Sequence, residues 1–304
     1  MAPASASLQV LQRGWLSSNN ILICGEAGTA LIDSGYCTHA AQTLALVAAG
    51  LQGRPLDLLL NTHLHSDHCG GNAALQAAYP GLHTLIPPGQ AQAVRDWDAT
   101  ALSHVPTGQS CPRFAFDGLL QPGSERMLGG SPWQVHAAPG HDPHSVILFQ
   151  PATRVLISAD ALWQQGFGVV FPEIEGIDAF AEVAATLDLI ESLQPLQVIP
   201  GHGAPFHQLA PALATARQRL AAFVASPARH RRHAAKVLLK FKLLEWQRVR
   251  RADLLQWARA SAYLCTLLPA GAGQVELEPA LEDLVQDLVR SGAAALDQDW
   301  LLDR

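Results

Sequence analysis

Along the first two hundred residues, short apolar runs alternate with breaks rich in Gly and Pro. Several of these runs hand a polar, chemistry-bearing residue to the break that follows. Leu56-Asp57-Leu58-Leu59-Leu60 leads into Asn61-Thr62-His63, and Trp133-Gln134-Val135-His136-Ala137-Ala138 runs into Pro139-Gly140-His141. Arg154–Ala159 delivers Asp160, and Gln197-Val198-Ile199 leads into Pro200-Gly201-His202-Gly203. Apolar or β-branched runs this short, bounded by turn residues, predict strands. Gly and Pro beside His141 and His202 suit sharp loops that aim one side chain inward. Past a boundary near Pro205 to Pro211 the period lengthens. Ala212–Ser226 and Ala228–Arg250 have helical composition and are separated by Pro227. Asp253–Leu268 and Glu278–Ser291 follow, the latter with apolar residues at 281, 284, 285, 288 and 289, the spacing of one helix face. Ala293–Leu296 and Trp300–Leu302 predict a small hairpin through Asp297-Gln298-Asp299. The chain therefore divides into residues 1–210, built on strands, and residues 211–304, mainly helical.

The densest chemistry lies in Asn61-Thr62-His63-Leu64-His65-Ser66-Asp67-His68-Cys69-Gly70-Gly71. Three imidazoles and a carboxylate within six positions are the donors that suit zinc, and also iron or manganese. If Thr62 to Asp67 stays extended, His63, His65 and Asp67 project to one side, because side chains alternate along an extended chain. His68 then turns off as the chain bends into the paired glycines. A cage assembled from loops on a rigid sheet needs such a set of donors at strand ends.

Five motifs together resemble the metallo-β-lactamase-fold hydrolase superfamily, over roughly residues 8 to 210. They are Leu31-Ile32-Asp33-Ser34-Gly35, the His63–His68 cluster, Pro139-Gly140-His141, Ser158-Ala159-Asp160 and Pro200-Gly201-His202-Gly203. The resemblance implies an α/β, four-layer αββα sandwich with a dinuclear site at one edge. By the same resemblance, His63, His65 and His141 bind one metal, Asp67, His68 and His202 bind the other, and Asp160 bridges them. Asp33 is then the carboxylate that orients a ligand without binding metal. The three helices and hairpin of the C-terminal part resemble the winged-helix-like segment of the β-lactamase-like protein 2 group, which includes endoribonucleases.

Three protein ligands per metal plus a bridge leave coordination positions open, as catalysis requires. Two divalent ions, zinc first among the candidates, bring a shared water toward a pKa of about 7 and make hydroxide available at neutral pH. Asp67 is placed to hydrogen-bond that hydroxide and carry a proton to the leaving group. The expected reaction is hydrolysis of an ester-, thioester- or lactone-like small molecule, with RNA cleavage along the basic C-terminal segment as the alternative. An aspartate at position 160 argues against a zinc β-lactamase, which carries Cys or Ser there. The basic residues that bind glutathione in glyoxalase II have no counterpart in the sequence. A complete second ligand set argues against the single-iron sulfur dioxygenases.

His144, in Asp142-Pro143-His144-Ser145, continues the His141 loop and is a candidate substrate contact. Phe167, in the apolar stretch Gly166–Pro172, is a candidate substrate wall. His104 begins an irregular stretch, Val105 to Pro112, that is long enough to cover the site. His83, His136, His207, His230 and His233 read as structural or solvated, and Cys69 as a small packing residue.

Charge divides the chain in the same place. Residues 1–216 hold six Arg, no Lys and sixteen acidic residues, whereas residues 217–304 hold fourteen basic and ten acidic ones. Arg229-His230-Arg231-Arg232 and Arg248-Val249-Arg250-Arg251 carry much of the basic excess. The helix expected to enter a groove in nucleic acid carries Glu278, Glu282, Asp283 and Asp287, which phosphate would repel. An uncharged small substrate, turned over with little dependence on salt, fits this field better than a polyanion. The C-terminal part would then shape the cleft or form a homodimer interface, or act as a protein-interaction module. No apolar run reaches the length of about twenty that a spanning helix needs. Met1–Ser7 lacks a basic start and an apolar core, and five scattered cysteines make no disulfide framework, so a cytoplasmic location is expected.

Overall fold

The computed structural model describes residues 7–268 and 277–304. Met1–Ala6, most of the N-terminal segment read above, lies outside the described residues. Side-chain alternation explains how the layers stack. Strands β1 (Ser7–Leu11), β2 (Asn20–Gly25), β3 (Gly28–Ile32), β4 (Leu58–Leu60), β5 (His83–Ile86) and β6 (Gly118–Leu119) form one sheet in that order. Its first three strands are antiparallel, and β3 to β6 run parallel. A second sheet takes the order β11-β10-β9-β8-β7 from β7 (Glu125–Leu128), β8 (Ser131–Ala137), β9 (Val146–Gln150), β10 (Val155–Ala159) and β11 (Gln197–Pro200). Ile21, Ile23, Ala30, Ile32 and Leu60 meet Val135, Val146, Leu148, Ile157 and Ile199 in a core between the sheets. The alternate residues of the first sheet, Leu22, Leu31 and Leu59, pack outward with α1 (Ala40–Leu51). Ile147, Phe149, Leu156 and Val198 of the second sheet pack with α7 (Phe180–Leu193) and α8 (Leu209–Ala225). The result is the expected αββα sandwich, and β4, β8, β10 and β11 fall on the four predicted runs. Truncating an inter-sheet residue such as Leu148 to Ala would cost about 2–5 kcal/mol.

Extension does not persist through Asp67. The chain turns helical at α2 (Ser66–Cys69), where His68 and Cys69 both donate backbone hydrogen bonds to His65 O. Short helices α3 (Asn72–Ala78), α4 (Ala91–Asp96), α5 (His104–Thr107) and α6 (Phe171–Ile174) complete the first two hundred residues.

Beyond α8 come α9 (Pro227–Trp246), β12 (Arg248–Arg250), α10 (Arg251–Ala260), α11 (Ala262–Leu267), α12 (Leu277–Arg290) and the hairpin β13 (Ala294–Asp297)–β14 (Trp300–Asp303). Pro227 does not simply separate two helices; it occupies the first turn of α9, where its missing N–H costs nothing. Arg248–Arg250, expected to be helical, instead pairs with β14 as a third strand. The single helix expected over Asp253–Leu268 breaks at Ser261, whose hydroxyl caps α11 by accepting from Leu264 N at 3.4 Å. Helix, strand, helices and hairpin make the helical, winged-helix-like C-terminal region. Its core residues, among them Leu238, Leu254, Leu264, Leu284 and Leu301, gather Val169 and Ile174 from the sandwich. Helix α8, by contrast, buries Leu213, Leu220 and Phe223 in the core of the second sheet.

His230 ties α9 to the sandwich. It is 1% exposed, Val170 N donates to its Nε2 at 3.2 Å, and its ring lies against Phe180 and Phe223. Burial, aided by Arg231, pushes its pKa down to about 4 from 6.5. The neutral ring is the folded form, so its contribution is complete above pH 6.5 and is lost as pH falls toward 4. The expected loss is about 3 kcal/mol over that window. Denaturant unfolding of the wild type and His230→Asn at pH 7, 5 and 4 checks this. A stability difference between the two proteins that stays constant with pH would contradict it.

Candidate metal centre

Each candidate donor follows the end of a strand. β3 delivers Asp33, β4 leads to His63, β8 to His141, β10 to Asp160 and β11 to His202. Asp33 at φ 59° and Ala159 at φ 46° adopt left-handed backbone where β3 and β10 finish. Such residues cost roughly 1–3 kcal/mol each and persist only where their surroundings fix them. Here Asp33 N donates to Leu60 O at 2.9 Å and Ala159 O accepts from Gly201 N at 2.7 Å, and further backbone bonds cross the sandwich edge. Asn19 N donates to Gly201 O at 2.7 Å, Ser18 N to Asp67 O at 2.9 Å, and Val146 N to Thr62 O at 2.8 Å.

Two donor groups result, each with its ligand atoms within 4.8 Å of one another: His63, His65 and His141, and then Asp67, His68, Asp160 and His202. Asp67 therefore does not share a side with His63 and His65, as continued extension would require. The turn of α2 carries it round with His68 into the second group. Asp160 faces both groups, with Oδ2 3.5 Å from His141 Nε2 and 3.7 Å from His202 Nε2, and Oδ1 3.5 Å from His68 Nε2.

Whether metal fits can be judged from the nitrogens. His63 Nε2 and His68 Nε2 are buried and have no hydrogen-bond partner. Buried polar atoms are almost always paired, so two orphaned imidazole nitrogens, one in each donor group, call for cations. Two further ring nitrogens are fixed by groups outside the donor sets. His141 Nδ1–H donates to Val169 O at 2.6 Å, and His68 Nδ1–H donates to Asp33 Oδ2 at 2.8 Å. Asp33 in turn accepts from Thr62 N at 2.9 Å and Thr62 Oγ1 at 2.8 Å. It belongs to neither donor group and holds the ring of His68 in place.

Electrostatics agree with the geometry. Burial, reinforced by neighbouring imidazoles, holds His63 and His65 well below the usual histidine range, so both present neutral nitrogens. Burial also works against charge on His68, but Asp33, Asp160 and Asp67 outweigh it and push its pKa well up. Burial opposes ionisation of Asp160 as well, and His202, His68 and His141 overcome it, leaving a carboxylate. The glycines are matched to this crowding. A Cβ at Gly201 would lie 2.2 Å from Asp160 Oδ1, and one at Gly168 would lie 2.3 Å from His141 Nδ1.

Both groups open on one cavity of about 570 Å³. Trp15 stacks on His202 at 5.2 Å and 5°, Trp163 Nε1 donates to Asp160 Oδ1 at 3.1 Å, and Phe171 lies 4.6 Å from the His65 ring. Thr107 and Gln109, from the irregular stretch expected to cover the site, line the cavity. Lys242 Nζ of α9 holds that stretch by donating to Gly108 O at 3.0 Å. The opposite wall is α9 itself, through Lys236, Val237, Lys240 and Phe241, with Arg219 of α8 beside it.

Two candidate substrate contacts are placed elsewhere. Phe167 does not form a cavity wall. Its ring sits in the apolar core against Phe223 at 6.2 Å, leaving Gly168, Val169 and Phe171 of the same stretch to face the cavity. His144 is exposed, its ring packs on Gly89, and it is not among the residues lining the cavity. Sequence reasoning missed Asp142, whose Oδ2 stands 3.7 Å behind His65 Nε2, although it adjoins His141. Trp15 and the α9 wall carried no readable signal, because their relation to the donors is purely tertiary.

A family model described as "Metallo-beta-lactamase superfamily" matches residues 13–207. A hydroxyacylglutathione hydrolase from Stenotrophomonas maltophilia is 32% identical over 151 residues, 50% of this chain and 48% of that protein. One from Anaeromyxobacter dehalogenans is 33% identical over 66% of this chain and 69% of its own length. A β-lactamase-like protein 2 homologue from Drosophila melanogaster is 25% identical over 61% of this chain and 58% of its own. The chain spans about half the length of the first two curated relatives it matches. A metallo-beta-lactamase family protein from Thermus thermophilus superposes with a TM-score of 0.58 at 19% identity over 98% of both chains, which shows a shared fold extending through the C-terminal region.

Replacing Asp33 by Asn tests how the His68 ring is held. Asn tolerates the left-handed backbone at this position, so the protein should fold. Its amide cannot reproduce all three accepted bonds, and affinity for the second metal should fall roughly 10- to 100-fold. Metal titration followed by calorimetry measures this, and unchanged affinity for both metals would assign Asp33 no role in positioning.

Proposed function

This chain belongs to the metallo-beta-lactamase superfamily, and from that premise we propose that it is a dinuclear metal-dependent hydrolase of an ester- or thioester-like small molecule. One observation carries the reading: seven donors in two groups, with orphaned buried nitrogens, open on a single cavity. His63, His65 and His141 would hold one ion, Asp67, His68 and His202 the other, with Asp160 between them. Zinc is the first assignment for this donor set, and iron or manganese suits it too. Bound dications supply Lewis acidity and a water made acidic enough to ionise near neutral pH.

The chain's own groups do the rest. Asp67, 13% exposed and held at Oδ2 by His202 Nε2 at 3.0 Å, is the proton carrier between attacking water and departing alkoxide or thiolate. Trp15, Phe171 and Phe241 present apolar surface to an acyl body and keep bulk water from the donors. An uncharged substrate, as the sequence alone favoured, leaves two features of the cavity unused. Lys240 pairs with Asp303, whereas Lys236 and Arg219 make no ion pair among the described residues. A substrate with an anionic end, directed at Lys236 and Arg219, uses both.

An RNA substrate is less well supported. Part of the basic excess is paired within the fold: Arg217 with Asp188 and Glu191, Arg232 with Asp287, and Arg251 with Glu282. Division into residues 1–210 and 211–304 is part of the same reading, with α8 bracing the second part against the first.

Thioesters and aryl esters, with and without a terminal carboxylate, test the reading. Asp67→Asn should lower kcat by about 10²-fold or more on all of them. Lys236→Ala should raise KM up to about fivefold for the carboxylate-bearing members alone, the worth of one partly exposed charge pair. Salt should mimic that loss. RNA cleavage at physiological salt with no ester or thioester turnover would replace this proposal with the nuclease.

A further inference from the structure

We propose that Cys69, His104 and Cys111 form a third metal site, distinct from the two donor groups above, that takes one thiophilic dication of the zinc class. Their ligand atoms lie within 4.8 Å of one another. The two sulfurs are 3.7 Å apart. Zinc–sulfur bonds of about 2.3 Å at a tetrahedral angle would set two sulfurs roughly 3.8 Å apart, whereas a disulfide needs about 2.05 Å. The stronger observation is His104. It is 3% exposed, and neither Nδ1 nor Nε2 has a hydrogen-bond partner. Its ring lies 6.2 Å from that of Trp97, which packs against the apolar cluster holding Cys69, Leu64, Leu102 and Phe114. Burying a polar ring with both nitrogens unpaired is costly, and a cation ligated by one nitrogen and two thiolates removes most of that cost.

Simple packing accounts for Cys69, whose thiol reaches Leu64 O at 3.4 Å, but it leaves His104 unexplained. Both sulfurs would bind as thiolates, any thiol proton leaving to solvent as the metal enters, with a fourth position left for water. Cys111 is partly exposed and offers a way in.

The location gives the site a use. Cys69 ends α2, the turn that carries Asp67 and His68. His104 begins α5, and Cys111 follows Gln109 in the stretch lining the cavity. A cation held by all three would staple the covering stretch to the catalytic turn.

Elemental analysis of protein purified under reducing conditions without chelator should find one more zinc per chain in wild type than in Cys111→Ser, whatever the occupancy of the other two sites. Cobalt-substituted wild type should show the sulfur-to-cobalt charge-transfer absorption that nitrogen and oxygen donors cannot produce, and Cys111→Ser should lack it. In wild type alone, bound zinc should shield Cys111 from alkylation until a chelator is added, a readout that survives if the variant misfolds. Equal metal content with no charge-transfer band, labelling of Cys111 indifferent to zinc, or a Cys69–Cys111 disulfide in the reduced preparation would each overturn the proposal.

Discussion

Asp33 and Asp160 are buried to 1% and 5% exposure, and both lie within reach of the His68 ring. A buried carboxylate without positive partners costs several kcal/mol, so one face of the sandwich edge must supply them. His68 stands between the two, donating from Nδ1 to Asp33 and turning Nε2 toward Asp160. Without a cation, a proton on His68 serves this need, and its raised pKa says as much. A divalent ion at Nε2 serves it better, because it satisfies the second carboxylate and the orphaned nitrogen together. The crowding around this axis explains why Gly201 and Gly168 have no room for a Cβ.

The C-terminal region completes the cavity. Its core incorporates Val169 and Ile174 from the stretch whose Val169 carbonyl also fixes His141. Residues 169–174 therefore serve two masters: one side orients a metal donor, and the other anchors the winged-helix-like region. Lys242 extends that link to the covering stretch through Gly108. The α9 wall of the cavity and the ring of His141 are thus connected by packed atoms.

The sheet elements and donors were readable because both obey local rules. Strands announce themselves by alternation and turn residues, and His141, Asp160 and His202 each follow such a strand directly. The split between the two donor groups was not readable from alternation, since it depends on α2 starting at Ser66. That turn is decided by backbone bonds to His65 O more than by any propensity of the sequence. Phe167 and Phe171 are equivalent by composition, and only the three-dimensional position of Phe223 assigns one to the core and the other to the cavity. His104 was unremarkable as a lone histidine, because its two sulfur neighbours lie 35 residues before it and 7 after it in sequence. The basic C-terminal stretch looked solvated or phosphate-seeking, and its ion pairs with Asp188, Glu191, Asp287 and Glu282 are invisible without the fold.

Helix α8 ends at Ala225 and α9 begins at Pro227, so a single residue, Ser226, joins a helix rooted in the sandwich to one rooted in the C-terminal region. Interdomain linkers ordinarily leave enough slack for rigid bodies to swing apart. One residue followed by a ring-locked φ leaves almost none, and residues 169–174 pin the far side as well. The mouth of the cavity therefore has the character of a fixed aperture, not a jaw. On the function proposed above, what passes it would be set by the girth of the molecule and the rotamers at its rim, and selection would fall at entry, before any bond is made or broken.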